Sequence, residues 1–365
     1  MYWLSIPTGT INGLVTKTVS NLHGQDAKRH ISHLFYRMMR TTAPFSVLIG
    51  VLLIIFSSPL ATIFKANQTA LIVLGVSSFF SLIQTIIGSF VTALQKFVLQ
   101  TILGFVNITV LLALSYIFIS KGWGATGAVL AQIIAGILVS ILTAYFIWDY
   151  IRPSKKTENI SLPKLNKITL YSFLFSVGTM SMMSTDILIV RAVFSPEQSG
   201  LYSALSVLAR MLLYGLTPLG ILLLSLISYR RSAKKGYLQI FFKLLLATIV
   251  LGLVGVAIFT SFPMYIIQTL SGSAYLSGAS LLAPFALSMF FFAISQLFLN
   301  YFLAADQGSS TWTLFALSLV QPLLLYLSSH TISTVVYVNL VIHFLLLLLL
   351  AVKFAYGIYK TSAKT

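Results

Sequence analysis

Long apolar runs separated by short polar connections set the pattern of this chain. Phe45–Phe64, Ala70–Leu94, Ile102–Ile119 and Leu244–Phe262 each have about the length a helix needs to cross a ~30 Å hydrocarbon core. None alternates with the period of two that a lipid-facing barrel strand shows, and a helix satisfies its own backbone polar groups inside lipid. The pattern predicts an all-α, polytopic membrane protein with about eleven spans: 3–21, 42–64, 69–94, 99–119, 124–148, 168–192, 199–228, 244–265, 279–304, 311–329 and 333–356. The longest polar connections are Asn21–Thr41, Asp149–Lys167 and Tyr229–Lys243.

Composition agrees with this class. Of 365 residues, 58% are hydrophobic and 8% charged, against roughly 25% charged in soluble domains. The net charge of +17 suggests nucleic acid until the charges are placed. They sit in short connections between apolar spans, a pattern of membrane topology that also attracts anionic lipids, and no nucleic-acid partner is expected. With no cysteine, thiolate metal sites and cysteine nucleophiles are excluded. His30 and His33 have no carboxylate ligand near them in sequence and read as part of a solvated basic loop, so no metal or cofactor is expected. Met1–Thr10 has no basic leader and no cleavage site, and does not read as a signal peptide.

Orientation follows from the basic residues. If Asn21–Thr41 is cytoplasmic, so are Gln95–Val98, Asp149–Lys167, Tyr229–Lys243, Ala305–Ser310 and the tail. These segments, with Lys353, hold 18 of the 23 Lys and Arg residues; the outer loops hold Lys65, Lys121 and Arg191, and Lys17 and Arg210 fall inside spans. The C-terminus is then cytoplasmic and the N-terminus outside.

The chain also resembles itself. Phe56-Ser-Ser-Pro59 matches Phe259-Thr-Ser-Phe-Pro263, and Thr92-Ala-Leu-Gln95 matches Ala304-Ala-Asp-Gln307. The basic stretch Gly24–Arg40 falls opposite Ser228–Lys243. Two parallel lobes are predicted: an N-lobe over 1–148, a cytoplasmic linker over 149–167 and a C-lobe over 168–365. Repeats of this kind are transporter architecture.

Three stretches carry a family resemblance. Ile11-Asn12-Gly13-Leu-Val-Thr-Lys17 resembles the Asn-Gly…Lys segment in the second helix of bacterial O-antigen-type (Wzx-type) flippases. Gly122-Trp-Gly-Ala-Thr-Gly-Ala128 is similar to the glycine-rich start of their sixth helix. Asp186-Ile-Leu-Ile-Val190, followed by Ser199-Gly200-Leu-Tyr202-Ser-Ala204, looks like the junction of their seventh and eighth helices. The family is the polysaccharide-lipid branch of the multidrug/oligosaccharidyl-lipid/polysaccharide exporter superfamily. The resemblance implies twelve helices in two six-helix lobes of a bacterial inner-membrane protein. It implies alternating-access flipping of an undecaprenyl-pyrophosphate-linked oligosaccharide, with polysaccharide polymerase and glycosyltransferases as associated enzymes. The sequence departs from that pattern in lacking the family's first helix, so an inactive truncated remnant is one alternative.

Ionisable groups deep in apolar helices are expensive and tend to be functional. Lys17, Asp186 and Arg210 are the candidates for the substrate path. Lys17 lies near the cytoplasmic end of its span, where its long stem also permits snorkelling to the headgroups. Asp186 and Arg210 flank the turn Ser195–Gln198, so an antiparallel hairpin brings them to similar depth. Two readings stand side by side: an ion pair that holds the hairpin shut, and a cationic lining for a pyrophosphate, tuned by Asp186. His343, within the last span, reads as a neutral packing histidine. A drug or cation exporter of the same superfamily is the rival transporter; it calls for several acidic residues on the path, and Asp186 is the one carboxylate deep in a span. A glycosyltransferase or polymerase calls for a sizeable outer loop, and the longest, Ile266–Gly278, is about a dozen residues. The chain does not read as an enzyme.

Overall fold

The computed structural model describes residues 5–25, 28–64, 68–152, 165–328 and 331–362. These form fourteen α-helices and, among the described residues, no strand: α1 (Ser5–Gly24), α2 (Lys28–Ile55), α3 (Ser57–Phe64), α4 (Gln68–Ala93), α5 (Phe97–Ser120), α6 (Gly124–Phe146), α7 (Trp148–Ile151), α8 (Leu165–Val193), α9 (Pro196–Ser232), α10 (Leu238–Ser261), α11 (Pro263–Leu270), α12 (Ala279–Ala304), α13 (Thr311–Ser328) and α14 (Ile332–Ser362). Ten are long and apolar enough to cross a membrane. The α1 helix forms where a span is predicted but is not one of the ten; Asn12, Thr16, Lys17, Thr18, Ser20, Asn21 and His23 lower its apolarity.

The chain divides into two compact units, Pro7–Lys164 and Leu165–Thr365, the latter taking in Met1–Ile6. Each has its own core. In the first, Val15, Val19, Ile31, Leu34, Phe35, Ile86 and Phe90 pack together. Here α2 and α4 cross where Gly50 faces Gly75; a Cβ on Gly50 would stand 2.6 Å from the Gly75 carbonyl. Small residues at such crossings let helix backbones approach inside lipid. In the second, α12 lies between α9, α10 and α14, with Phe241, Phe285, Phe292 and Phe302 buried around it.

Several predicted connections turn out to be helical. Within Asn21–Thr41, residues 21–24 end α1 and residues 28–41 are the first turns of α2. His30 and His33 therefore lie on a helix, above buried Ile31, Leu34, Phe35 and Met38. The apolar spacing 31, 34, 35, 38 is that of an amphipathic helix, and the density of charge hides it. Of the predicted linker, Asp149–Ile151 lies in α7 and Leu165–Lys167 in α8. Residues 153–164 lie outside the described residues, as do Asp26, Lys65 and Glu158. The segment Ile266–Gly278, predicted as an outer loop, holds the end of α11, which Pro263 opens, and a 3₁₀ turn over Ser273–Gly278. Proline suits the first helical position because its missing N–H is unpaired there anyway.

The internal resemblance has a structural counterpart. The eight-residue helices α3 and α11 follow α2 and α10 at the matched proline motifs. Helices α4 and α12 end alike. Gln95 (φ 59°) and Asp306 (φ 58°) adopt the left-handed conformation. The next amides bond back to Val91 O at 3.2 Å and Phe302 O at 2.8 Å, the closure of a Schellman cap. The glycine-rich motif also has a local cause. Gly122 (φ 83°) and Gly124 (φ 49°) make the α5–α6 turn, and a Cβ on Gly127 would lie 2.8 Å from that of Phe118.

Candidate functional site

The site begins with a turn. Ser195 caps α9 by accepting from the Gln198 amide at 3.3 Å, with Pro196 and Glu197 in the first turn. A capping hydroxyl, a first-turn proline and an acid near the positive end of the helix all favour a start here. Ser199 Oγ then donates to Val190 O at 3.1 Å, fixing the register of α8 against α9.

That register brings Asp186, Tyr202 and Arg210 together. Arg210 Nη2 donates to both carboxylate oxygens of Asp186, at 3.1 and 3.2 Å. The Tyr202 hydroxyl donates to Oδ2 at 2.6 Å, and the Ile187 amide to Oδ1 at 2.8 Å. Asp186 and Arg210 are each 1% exposed and Tyr202 0%. The network continues: Asn339 Nδ2 donates to the Tyr202 hydroxyl at 3.2 Å, and Gln321 Nε2 donates to Asn339 Oδ1 at 2.7 Å and to Met182 O at 3.3 Å. One chain of hydrogen bonds therefore runs through α8, α9, α13 and α14. His343 lies one turn beyond Asn339, with Nδ1 2.8 Å from Ser288 Oγ and its ring stacked on Phe292 at 4.6 Å; it is fully buried, as a packing histidine is.

Both oxygens of Asp186 are engaged, by a cation, a phenol and a backbone amide. This arrangement fixes the carboxylate in place, and removing either partner of the pair would leave the other buried and uncompensated. Sequence reasoning placed Asp186 with Arg210 and marked Tyr202 as a motif residue, but missed Gln321 and Asn339. A neutral amide within an apolar run was the available signal. Among the described residues, no three His, Asp or Glu side chains are placed to hold a metal.

The remaining candidates lie elsewhere. Gly200 is half-buried, and the nearest atom to a Cβ there would be Tyr275 Cε1 at 4.0 Å. Asn12, Gly13 and Lys17 belong to the Pro7–Lys164 unit. Asn12 Oδ1 accepts from Ser89 Oγ at 2.7 Å and Thr16 Oγ1 at 3.3 Å, and Gly13 is half-buried beside it. Lys17 is 2% exposed, inside the run of buried residues 15–20, so its side chain is enclosed and does not snorkel along the protein surface.

No protein-family model matches the sequence, and no curated protein does. Solved structures do match. A MATE transporter in its straight conformation aligns over 100% of this chain and 87% of its own, at TM-score 0.83 and 14% identity. An outward-facing multidrug resistance MATE family transporter of the MOP superfamily aligns over 100% and 86%, at 0.79 and 13%. A mutant of a Vibrio cholerae MATE transporter aligns over 98% and 86%, at 0.79 and 16%. The chain has the all-helical fold of these transporters.

Proposed function

We propose that this chain is a membrane transporter of the multidrug/oligosaccharidyl-lipid/polysaccharide exporter class whose cargo is an undecaprenyl-pyrophosphate-linked oligosaccharide. The observation that carries the reading is the sign of the charge inside the helices. Lys17 and Arg210 are buried cations. Asp186, the buried carboxylate, pairs with Arg210 and accepts from the Tyr202 hydroxyl, so the balance of buried charge among the described residues stays positive through Lys17. The other described acids, Asp149, Glu197 and Asp306, are exposed at or beside helix ends. Cation extrusion calls for carboxylates along the path, whereas a pyrophosphate calls for cations, arginine's fork above all. The basic residues at the predicted cytoplasmic ends accord with a bacterial inner-membrane protein whose C-terminus is cytoplasmic. Reporter fusions after Lys235 and Gly272 test that orientation: the first should report cytoplasm and the second the outside.

A drug or cation exporter is the second reading, favoured by the likeness to a transporter described as a multidrug resistance protein. The deciding experiment uses the full chain in proteoliposomes. A fluorescent undecaprenyl-pyrophosphate disaccharide should become accessible to a membrane-impermeant quencher added outside, faster than in protein-free vesicles. Movement of ethidium with no movement of the lipid would establish the second reading instead.

A further inference from the structure

The Pro7–Lys164 unit carries polar side chains of another kind inside its helices. Helices α4, α5 and α6 contain no charged residue. On α4, however, Ser77, Ser81, Gln84, Thr85 and Gly88 follow one another at helical spacing, all half-buried or exposed. The three hydroxyls are occupied by their own helix, donating to Leu74 O, Ser78 O and Ser81 O. Gln84 is not so occupied. Its amide lies over Gly136 of α6, where a Cβ would stand 2.5 Å from Nε2 and 2.7 Å from Oε1. One turn away on the same face of α6 is Gln132, which is exposed. Neither amide makes a hydrogen bond to a described residue. Both sit more than two turns from either end of their helices.

Amides at that depth cannot face hydrocarbon without a large penalty, and polar groups inside spans mark the interior of a path. A carboxamide offers two donors beside an acceptor with two lone pairs. That set matches the hydroxyl and acetamido groups of a neutral sugar and carries no charge of its own. We infer that the α4–α6 face around Gln84 and Gln132 holds the saccharide part of the cargo. The inference rests on the function proposed above and concerns the saccharide part of that cargo alone. A site built to bond hydroxyls discriminates strongly against a ligand that lacks them, because its own polar groups are then left unpaired.

The test uses the full chain in lipid nanodiscs with two radiolabelled probes: bare undecaprenyl pyrophosphate, and the same lipid carrying an N-acetylglucosamine disaccharide. The wild type should bind the saccharide-bearing probe at least tenfold tighter. The double variant Gln84→Leu with Gln132→Leu should lose that preference while its Kd for the bare lipid stays within twofold, which also shows that it is folded. Gln84→Asn, which keeps the amide on a shorter stem, should retain part of the preference. The inference is overturned if the wild type binds both probes equally, if the double variant keeps the preference, or if it weakens both probes alike. It is also overturned if the double variant changes only the melting temperature, which would make the two amides a contact for another helix. In each of these cases the function proposed above still stands if the wild type binds the bare lipid. If the wild type binds neither probe but binds ethidium, that function itself is wrong.

Discussion

In the Leu165–Thr365 unit, the polar groups carried into apolar helices are tied to one another: Asp186 to Arg210 and Tyr202, Tyr202 to Asn339, Asn339 to Gln321. In the Pro7–Lys164 unit, Gln84 and Gln132 make no such bonds, although the two units follow one structural pattern. Superposing the matched caps at Gln95 and Asp306 sets Thr85 opposite Gln296 and Ser89 opposite Asn300. Gln296 Nε2 donates to Thr179 Oγ1 of α8 at 2.9 Å, and α8 has no counterpart among the described residues of the first unit. In the first unit Thr85 and Ser89 are bonded too, to Ser81 O and to Asn12 Oδ1 of α1, and it is the adjoining amides of Gln84 and Gln132 that have no such partner. Polar residues inside a span thus have two distinct uses, clamping helices and offering groups to a ligand, and hydrogen-bond partners distinguish them.

The largest effect should come from breaking the closed network. Arg210→Leu leaves the Asp186 carboxylate buried without its cation and should cost about 3–5 kcal/mol, read as a large fall in folded yield and melting temperature. Asp186→Asn with Arg210→Gln removes both charges and should recover most of that loss. Recovery of stability together with lipid flipping would make Arg210 a clamp between α8 and α9. Recovery of stability without flipping would place Arg210 on the substrate path.

A step down in size is Tyr202→Phe. It removes one donor to a carboxylate and one acceptor for Asn339, and hydrogen bonds to charged groups are worth about 1.5–3 kcal/mol. The melting temperature should fall, but less than for Arg210→Leu. An equal fall would mean that the phenol contributes as much as the guanidinium to holding Asp186.

The Asp186–Arg210 pair was legible in the sequence because charges stand out in apolar runs and a short turn between spans forces a hairpin. Asn339 and Gln321 were not legible as partners. Whether an amide in Tyr337-Val-Asn339 or Leu319-Val-Gln321 is bonded depends on which helix lies alongside, and that is set by packing across more than a hundred residues. Ten of the eleven predicted spans, all but 3–21, coincide with helices long and apolar enough to cross a membrane, and run length alone found them. It did not find the helical start of α2, because Lys28, Arg29, Arg37 and Arg40 read as a solvated connection although the buried Ile31, Leu34, Phe35 and Met38 keep helical spacing. The matched caps were visible as a weak repeat, while their shared left-handed residue is a backbone property that Gln and Asp do not advertise.

Those caps support the smallest prediction. Gln95 and Asp306 both sit at φ near 60° without being glycine, a conformation that costs a side chain about 1 kcal/mol. Gln95→Gly relieves that cost and should stabilise the Pro7–Lys164 unit by about 0.5–1 kcal/mol, since glycine is the favoured residue at this position. Asp306→Gly relieves the same strain but also removes the ion pair with Arg231. That pair is exposed on both sides, 38% and 54%, and surface pairs contribute about 0–1 kcal/mol, less as salt rises. The two substitutions should therefore differ: a clear rise in melting temperature for Gln95→Gly, and a smaller one for Asp306→Gly that grows with ionic strength. Equal rises at low salt would mean that the Arg231 pair contributes nothing and that the two caps are energetically alike.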